Sequence, residues 1–199
     1  MSAAEKQSAP QASASLKVEI KRADLLKSLN STQSVVERRG TIPILANIRL
    51  EAADAGLKLT ATDMDISVED KAPATINTAG ATTVPAHTFF DIIRKLPEDK
   101  SVTLDKSSSD NKLTIRSGSS RFSLSTLPVN DFPVMDEGDL THHFTLPAAE
   151  LHNLIEKTRF AVSTEETRYY LNGVYMHTTE ENGNKVLRAV ATDGHRLAR

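Results

Sequence analysis

Hydrophobic positions change period several times along this chain, and each change marks a predicted element. In "LKVEIKRADLLKSL", Val18 and Ile20 alternate with charged residues, the pattern of a half-buried strand. Leu25, Leu29, Thr32 and Val36 then recur at helical spacing, which predicts a helix of about 12 residues from Ala23. "ERRG" supplies a stop at Gly40. "TIPILANIRLEA" resumes an extended pattern, with Pro43 at an edge or a bulge. The turn "ADAG" separates it from the strand "LKLTA", and "DISVEDK" reads as another alternating strand. Residues 88–96 put Phe89, Ile92, Ile93 and Leu96 on one helical face, closed by Pro97. "SVTLD", "KLTIR" and "RFSLSTL", separated by "SSSDN" and "SGSS", predict a β-meander. The Pro-rich, acidic stretch "PVNDFPVMDEGD" reads as a linker or long crossing loop near residues 128–141.

The pattern then restarts. "HFTLPAAELHNLIEKTRFAV" predicts a short strand, Pro147 at a helix start, and Leu151, Leu154 and Ile155 on one face. "RYYLNGVYMHT" and "VLRAVATD" read as two strands, joined by a hairpin turn containing Asn-Gly.

Aligned with the start of the chain, the restart is a repeat. "VEIKRADLLKSL" matches "FTLPAAELHNLI", with Ala149 falling 126 residues after Ala23. "ILANIRLEA" matches "YLNGVYMHT", with Asn172 falling 125 after Asn47. "LKLTATDMD" matches "LRAVATDGH", with Asp193 falling 130 after Asp63. A period this long exceeds the solenoid range of about 20–50 residues and is the size of a domain. The expected organisation is a tail over 1–15, a whole domain over 16–139 and the first half of a second over 140–199. Each copy should be α+β, an antiparallel sheet carrying two amphipathic helices on one face. The second copy has no counterpart of "VPAHTFFDIIRKLPED" or of the meander, so the chain is expected to be an N-terminal fragment of a longer protein.

Composition adds limits. The 199 residues are 39% hydrophobic and 25% charged, without cysteine, so no disulfide framework or thiolate chemistry is available. A reducing, cytoplasmic setting is expected. No apolar run approaches the roughly 18–20 residues of a membrane span. Residues 1–15, rich in Ala, Ser and Gln, are expected to be disordered and carry no secretory signal. A formal net charge of −2 argues against grip on nucleic acid by overall positive charge, while leaving room for a locally basic surface.

Asp193 and His195 in "ATDGHRLAR" admit three readings. As metal ligands they would need partners, and no Cys-rich or His-rich motif supplies them; His142 and His143 lie in the expected linker. As a catalytic pair they would need a nucleophile and an orienting group. As a strand end, Asp193 would bond the backbone of its own turn.

"TIPILANI", "ATTVPA", "FFDIIRKLPE", "SRFSLSTLP", "DFP", "RYYLNG" and "ATDGHRLA" together resemble the bacterial DNA polymerase III β sliding clamp family, from about residue 16 to the end. The resemblance implies a non-catalytic, DNA-encircling processivity factor with three similar domains per subunit. Two subunits would join head to tail, helices lining the hole and sheets outside. It implies a hydrophobic pocket for short linear motifs, one wall of which maps here onto Leu171, Thr192, Gly194, His195, Arg196 and Leu197. The other wall would come from the third domain and a connector. It implies DNA contacts at Arg39, with Arg38 beside it, and at one of Tyr169 and Tyr170. Adjacent strand residues point to opposite faces, so the other tyrosine is expected in the core. Glu165 departs from the family's polar amide upstream of "RYY" and would repel phosphate there.

Lys17, Lys21, Arg22, Lys27, Arg94 and Lys95 lie on or beside the first two helices. Solvation explains them; on a helix-lined hole they would form a weak, sequence-independent phosphate track. Phe122 and Leu124 alternate with serines on an expected edge strand, which the resemblance places at the subunit interface. The implied partners are duplex DNA, the polymerase III catalytic subunit, the clamp loader, other clamp-motif proteins and a second subunit, with no cofactor and no metal. A peptide-binding adaptor that never encloses DNA, or a hydrolase using Asp193 and His195, are the other functional readings.

Overall fold

The computed structural model describes residues 15–36, 41–53, 56–135, 141 and 143–199. The expected tail, apart from Ser15, the "ERRG" segment with Arg38, Arg39 and Gly40, the tip of "ADAG", and His142 lie outside the described residues. The chain forms two compact units, Met1–Asp136 and Glu137–Arg199.

In the first unit, Leu16, Val18 and Ile20 alternate inward along β1 (Leu16–Lys21), which leads directly into α1 (Arg22–Thr32). Leu25 and Leu29 bury the helix, and the Thr32 hydroxyl donates to the Ser28 carbonyl at 3.0 Å before a short 3-10 turn ends it. Eight further strands and a helix follow: β2 (Asn47–Ala53), β3 (Gly56–Thr62), β4 (Ser67–Pro73), β5 (Thr75–Thr78), β6 (Gly80–Pro85), α2 (Ala86–Lys95), β7 (Ser101–Lys106), β8 (Lys112–Ser117) and β9 (Ser120–Ser125). The expected α+β, antiparallel arrangement holds, and the strands divide between two sheets, ordered β5-β1-β7-β8-β9 and β4-β3-β2-β6. One hydrophobic core draws on both sheets and both helices, through residues such as Leu104, Leu59, Leu25 and Phe89.

The meander and the alternating strands are legible by period. Strands β5 and β6 are not: β6 buries five consecutive residues and so lacks alternation. Residues 43–46, expected to be extended, form a 3-10 turn with Pro43 in its first position, where a missing N–H costs nothing. The expected linker also contributes to packing, since Val129–Asp131 form a turn and Phe132 is buried. Its junction is held by Thr83: the hydroxyl donates to the Leu127 carbonyl at 2.8 Å and accepts from the Leu127 amide at 3.0 Å. Asn47 donates to the same oxygen at 3.1 Å.

The second unit holds α3 (Ala148–Thr158), then a 3-10 turn at Glu166–Leu171, then β10 (Tyr175–Glu181), β11 (Asn184–Thr192) and β12 (Leu197–Ala198) in one antiparallel sheet. Asn182 and Gly183 form the hairpin turn, both at positive φ, as a two-residue Asn-Gly loop requires. The hairpin register refines the repeat. Leu50 pairs with Leu59 and Met176 with Ala189, so β10 follows β2 by 126 residues and Asn47 corresponds to Gly173, one place from Asn172. The two asparagines do different work, which is why matching them misaligns the strand by one.

The strand expected over 143–146 is absent. In the first unit, β1 is held between β5 and β7; the second unit, as described, has no such partners. The same lack shows in the helix. Leu25 and Leu29 are fully buried, while their repeats Leu151 and Ile155 are 38% and 37% exposed. Thr158 still repeats Thr32, donating to the carbonyl four residues back at 2.8 Å.

Arg22, explained on sequence grounds by solvation alone, has a structural task. From the first turn of α1 its Nε and Nη2 donate to the Ile93 and Arg94 carbonyls, at 3.1 and 2.6 Å, closing the last turn of α2. Arg22→Ala should therefore lower unfolding free energy by about 1.5–3 kcal/mol, the usual worth of charged hydrogen bonds. Urea unfolding followed by circular dichroism measures it, and an unchanged midpoint would remove this role.

Candidate functional site at the second strand-end turn

The two "ATD" stretches fold into one motif, twice. Thr62 donates to the Ile66 carbonyl at 2.8 Å, and Thr192 to the Arg196 carbonyl at 2.7 Å. Each threonine hydroxyl also accepts an amide two residues on, from Met64 at 3.0 Å and from Gly194 at 3.1 Å. Asp63 Oδ1 accepts the amides of Asp65 and Ile66, and Asp193 Oδ1 accepts those of His195 and Arg196. The residue after each aspartate has positive φ, 82° at Met64 and 89° at Gly194. The motif turns β3 into β4 in the first unit and β11 into β12 in the second.

This geometry selects among the readings of Asp193 and His195. The Asp193 carboxylate is occupied: Oδ1 takes two amides, and Oδ2 takes Arg196 Nε at 2.9 Å. His195 meets it through its backbone N–H, so the two side chains do not form an acid–base dyad. Among the described residues, no group of three or more His, Cys, Asp or Glu side chains is placed to hold a metal ion. The turn leaves Gly194, His195, Arg196 and Leu197 exposed. The Arg196 guanidinium lies 5.7 Å from the centre of the exposed Phe160 ring, a residue without a signal in the pattern.

Tyr169 and Tyr170 correct the expectation of one core tyrosine. They sit in the 3-10 turn rather than a strand, and both are exposed, at 79% and 71%. Their rings meet edge to face at 5.8 Å. The loop that carries them closes on itself, the Ser163 amide donating to the Leu171 carbonyl at 3.0 Å, so alternation cannot apply. Glu165 pairs with Arg168 at 3.2 Å, which offsets the repulsion expected toward phosphate. Arg168 Nη1 reaches the Asp193 carbonyl at 3.4 Å and so joins the loop of Leu171 to the turn of Thr192 and Leu197.

The basic residues of the first unit separate by environment. Lys17, Lys21 and Lys27 are exposed. Lys95 lines a groove of about 300 Å³ beside α2, together with Ile92, Leu96 and Phe122. Arg94, also exposed, pairs with Asp91 at 3.1 Å and lies over the Phe90 ring. Phe122 and Leu124 share the face of β9, an edge strand as expected, but Leu124 is only 8% exposed and belongs to the core. Phe122, at 39%, is the exposed apolar group of that edge strand.

The amides of Arg196 and His195, then the Arg196 guanidinium, lower the Asp193 carboxyl from its ordinary value to about 2. Asp63 is lowered too, first by the Ile66 amide. A depressed carboxyl adds stability above its unfolded value, near 4, and loses it as pH falls toward 2. The His195 and Arg196 amide resonances should therefore titrate with a midpoint near 2 rather than near 4. Asp193→Asn should abolish that titration, which acid-range NMR would record.

Comparison with known proteins places the chain. Residues 16–136 match the family described as DNA polymerase III beta subunit, N-terminal domain, and residues 145–199 match its central domain. The Beta sliding clamp of Caulobacter vibrioides (strain NA1000 / CB15N) is 54% identical over 92% of this chain, and that of Escherichia coli (strain K12) 44% over 92%. The chain spans about half of each, 49% of their length. The crystal structure of the C. crescentus beta sliding clamp superposes with a TM-score of 0.89 at 53% identity, over 93% of this chain and 49% of that one. The Bartonella birtlesii DnaN sliding clamp bound to griselimycin gives 0.86 at 43% identity, over 92% and 48%. Two adjoining matches in family order, and a fold shared at this identity, establish that the chain belongs to the DNA polymerase III beta subunit family of sliding clamps.

Proposed function

We propose that this chain supplies one whole domain and the first half of the next of a sliding clamp. In this reading the clamp encircles duplex DNA without reading sequence and tethers the replicative polymerase, itself performing no catalysis. Family membership supports it, and the observation that carries it is the Asp193 turn. The turn is built like its partner at Asp63, with the same threonine and aspartate bonds, yet presents Gly194, His195, Arg196 and Leu197 in place of Met64, Asp65, Ile66 and Ser67. An unchanged scaffold with a changed, exposed edge is what a docking surface needs, while the occupied Asp193 carboxylate offers nothing to a hydrolase.

The pocket wall is Leu171, Thr192, Gly194, His195, Arg196 and Leu197, and it receives linear motifs of the polymerase catalytic subunit, the clamp loader and other clamp-motif proteins. Griselimycin, bound by the Bartonella clamp, serves as a probe of it. Tyr169, Tyr170, Lys27, Arg94, Arg38 and Arg39 contact the duplex. Phe122, on the free edge of β9, packs against a second subunit. Phosphate contacts of this kind are weak and salt-sensitive, so enclosure does the retaining.

The decisive test is topological. Extended to the length of its relatives, the protein should stay on closed circular duplex and run off when the circle is cut. Equal retention on both would favour an adaptor that never encloses DNA. In the same protein, Leu197→Ala should weaken griselimycin roughly tenfold or more, since burying a leucine is worth about 1.5–3 kcal/mol. Calorimetric titration reads that loss, and a hydrolytic activity removed by His195→Ala would overturn the non-catalytic reading.

A further inference from the structure

We propose that Arg168 is a positioning residue that couples the exposed tyrosine pair to the Gly194 turn, so that occupancy of one surface is felt at the other. The natures of the two ligands, a peptide at the turn and duplex DNA at the tyrosines, rest on the function proposed above. The coupling stands on this chain's own geometry.

The tyrosine loop is a closed body. Besides the bond from the Ser163 amide to Leu171, the Asn172 side chain, its amide turned with Nδ2 inward, donates to the carbonyls of Ser163, Glu165 and Arg168 at 3.0, 3.3 and 3.3 Å. Such a loop shifts as a unit. Arg168 extends from it with two guanidinium nitrogens engaged, Nε on Glu165 of the same loop and Nη1 on the Asp193 carbonyl of the turn.

The residue at 194 shows that the contact is built in. Positive φ alone does not demand glycine here, because Met64 holds the same conformation in the same hydrogen bonds. What differs is the neighbour: a Cβ on Gly194 would stand 3.1 Å from Arg168 Nη1. In the first repeat, 126 residues earlier, the position of Arg168 is held by Ile42, which has no donor to offer. Glycine and arginine therefore occur together in the repeat that carries the tyrosines, and neither occurs in the other. By linkage, any ligand that moves the turn changes the tyrosine surface, and the reverse holds by the same factor.

A double-variant cycle tests the coupling without any ligand. The chain has three tyrosines and no tryptophan, so 3-fluorotyrosine labelling gives three ¹⁹F resonances, with Tyr175 assigned by Tyr175→Phe. Gly194→Ala should shift the Tyr169 and Tyr170 resonances when Arg168 is present. In an Arg168→Ala background the same substitution should leave them in place. Arg168→Lys should behave like Arg168→Ala, because a single ammonium lacks the fixed fork that engages Glu165 and the Asp193 carbonyl through separate nitrogens. A shift that persists in the Arg168→Ala or Arg168→Lys background, or that is absent with Arg168 intact, overturns the proposal. Griselimycin and duplex DNA are added in separate arms. These arms use the protein extended to the length of its relatives, which has both pocket walls; failure of both ligands to bind there would count against the proposed function, while the cycle on this chain would still decide the coupling.

Discussion

An aspartate that accepts the amides of its own turn is the constraint on which both units depend. At the end of an inner strand the chain must reverse, and the N–H groups of the reversal have no strand to bond. Asp63 and Asp193 take two of them each, and Thr62 and Thr192 take a third while donating to a carbonyl. Because these bonds run from the Thr-Asp pair to backbone, the side chains at the two following positions take no part in holding the turn. Met64–Asp65 and Gly194–His195 can then differ without changing the turn, and a surface can be specialised on a scaffold that stays the same.

The two units also differ in what covers their helices. In the first, β1 is bonded on both sides and the core runs through two sheets, so Leu25 and Leu29 are fully buried. In the second, the buried core cluster is Ala161, Ala191 and Ala198, and the helix residues corresponding to those leucines remain over a third exposed. Sequence and helical spacing are alike in both. The difference lies in the elements present to cover the face, since burial rather than propensity holds an amphipathic helix down.

Much of this was readable in advance. The period-two strands, both long amphipathic helices of the first unit and the Asn-Gly hairpin follow from local pattern, because each depends on residues close in the chain. The repeat was readable for the same reason, and the aspartate bonding its own turn was one of three readings that the fold then selected. The misreadings share a cause. Residues 143–146 alternate like a strand but find no partner. Residues 168–171, the start of the strand expected over 168–178, are drawn into a closed loop by Ser163 and Asn172, which exposes both tyrosines. Arg22 reads as a solvated cation but finds the carbonyl end of a helix 71 residues away.

The sequence by itself determined the antiparallel α+β class, the duplication and the family, since these reside in periodicity and in motifs that need no neighbour. Tertiary structure alone decided which side chains are free to act. Leu124 went to the core while Phe122 stayed exposed, Asp193 was occupied by its own turn, and Arg168 was set against Gly194. Those outcomes depend on contacts between residues distant in the chain, where pairing and close packing, rather than local preference, settle what each group touches.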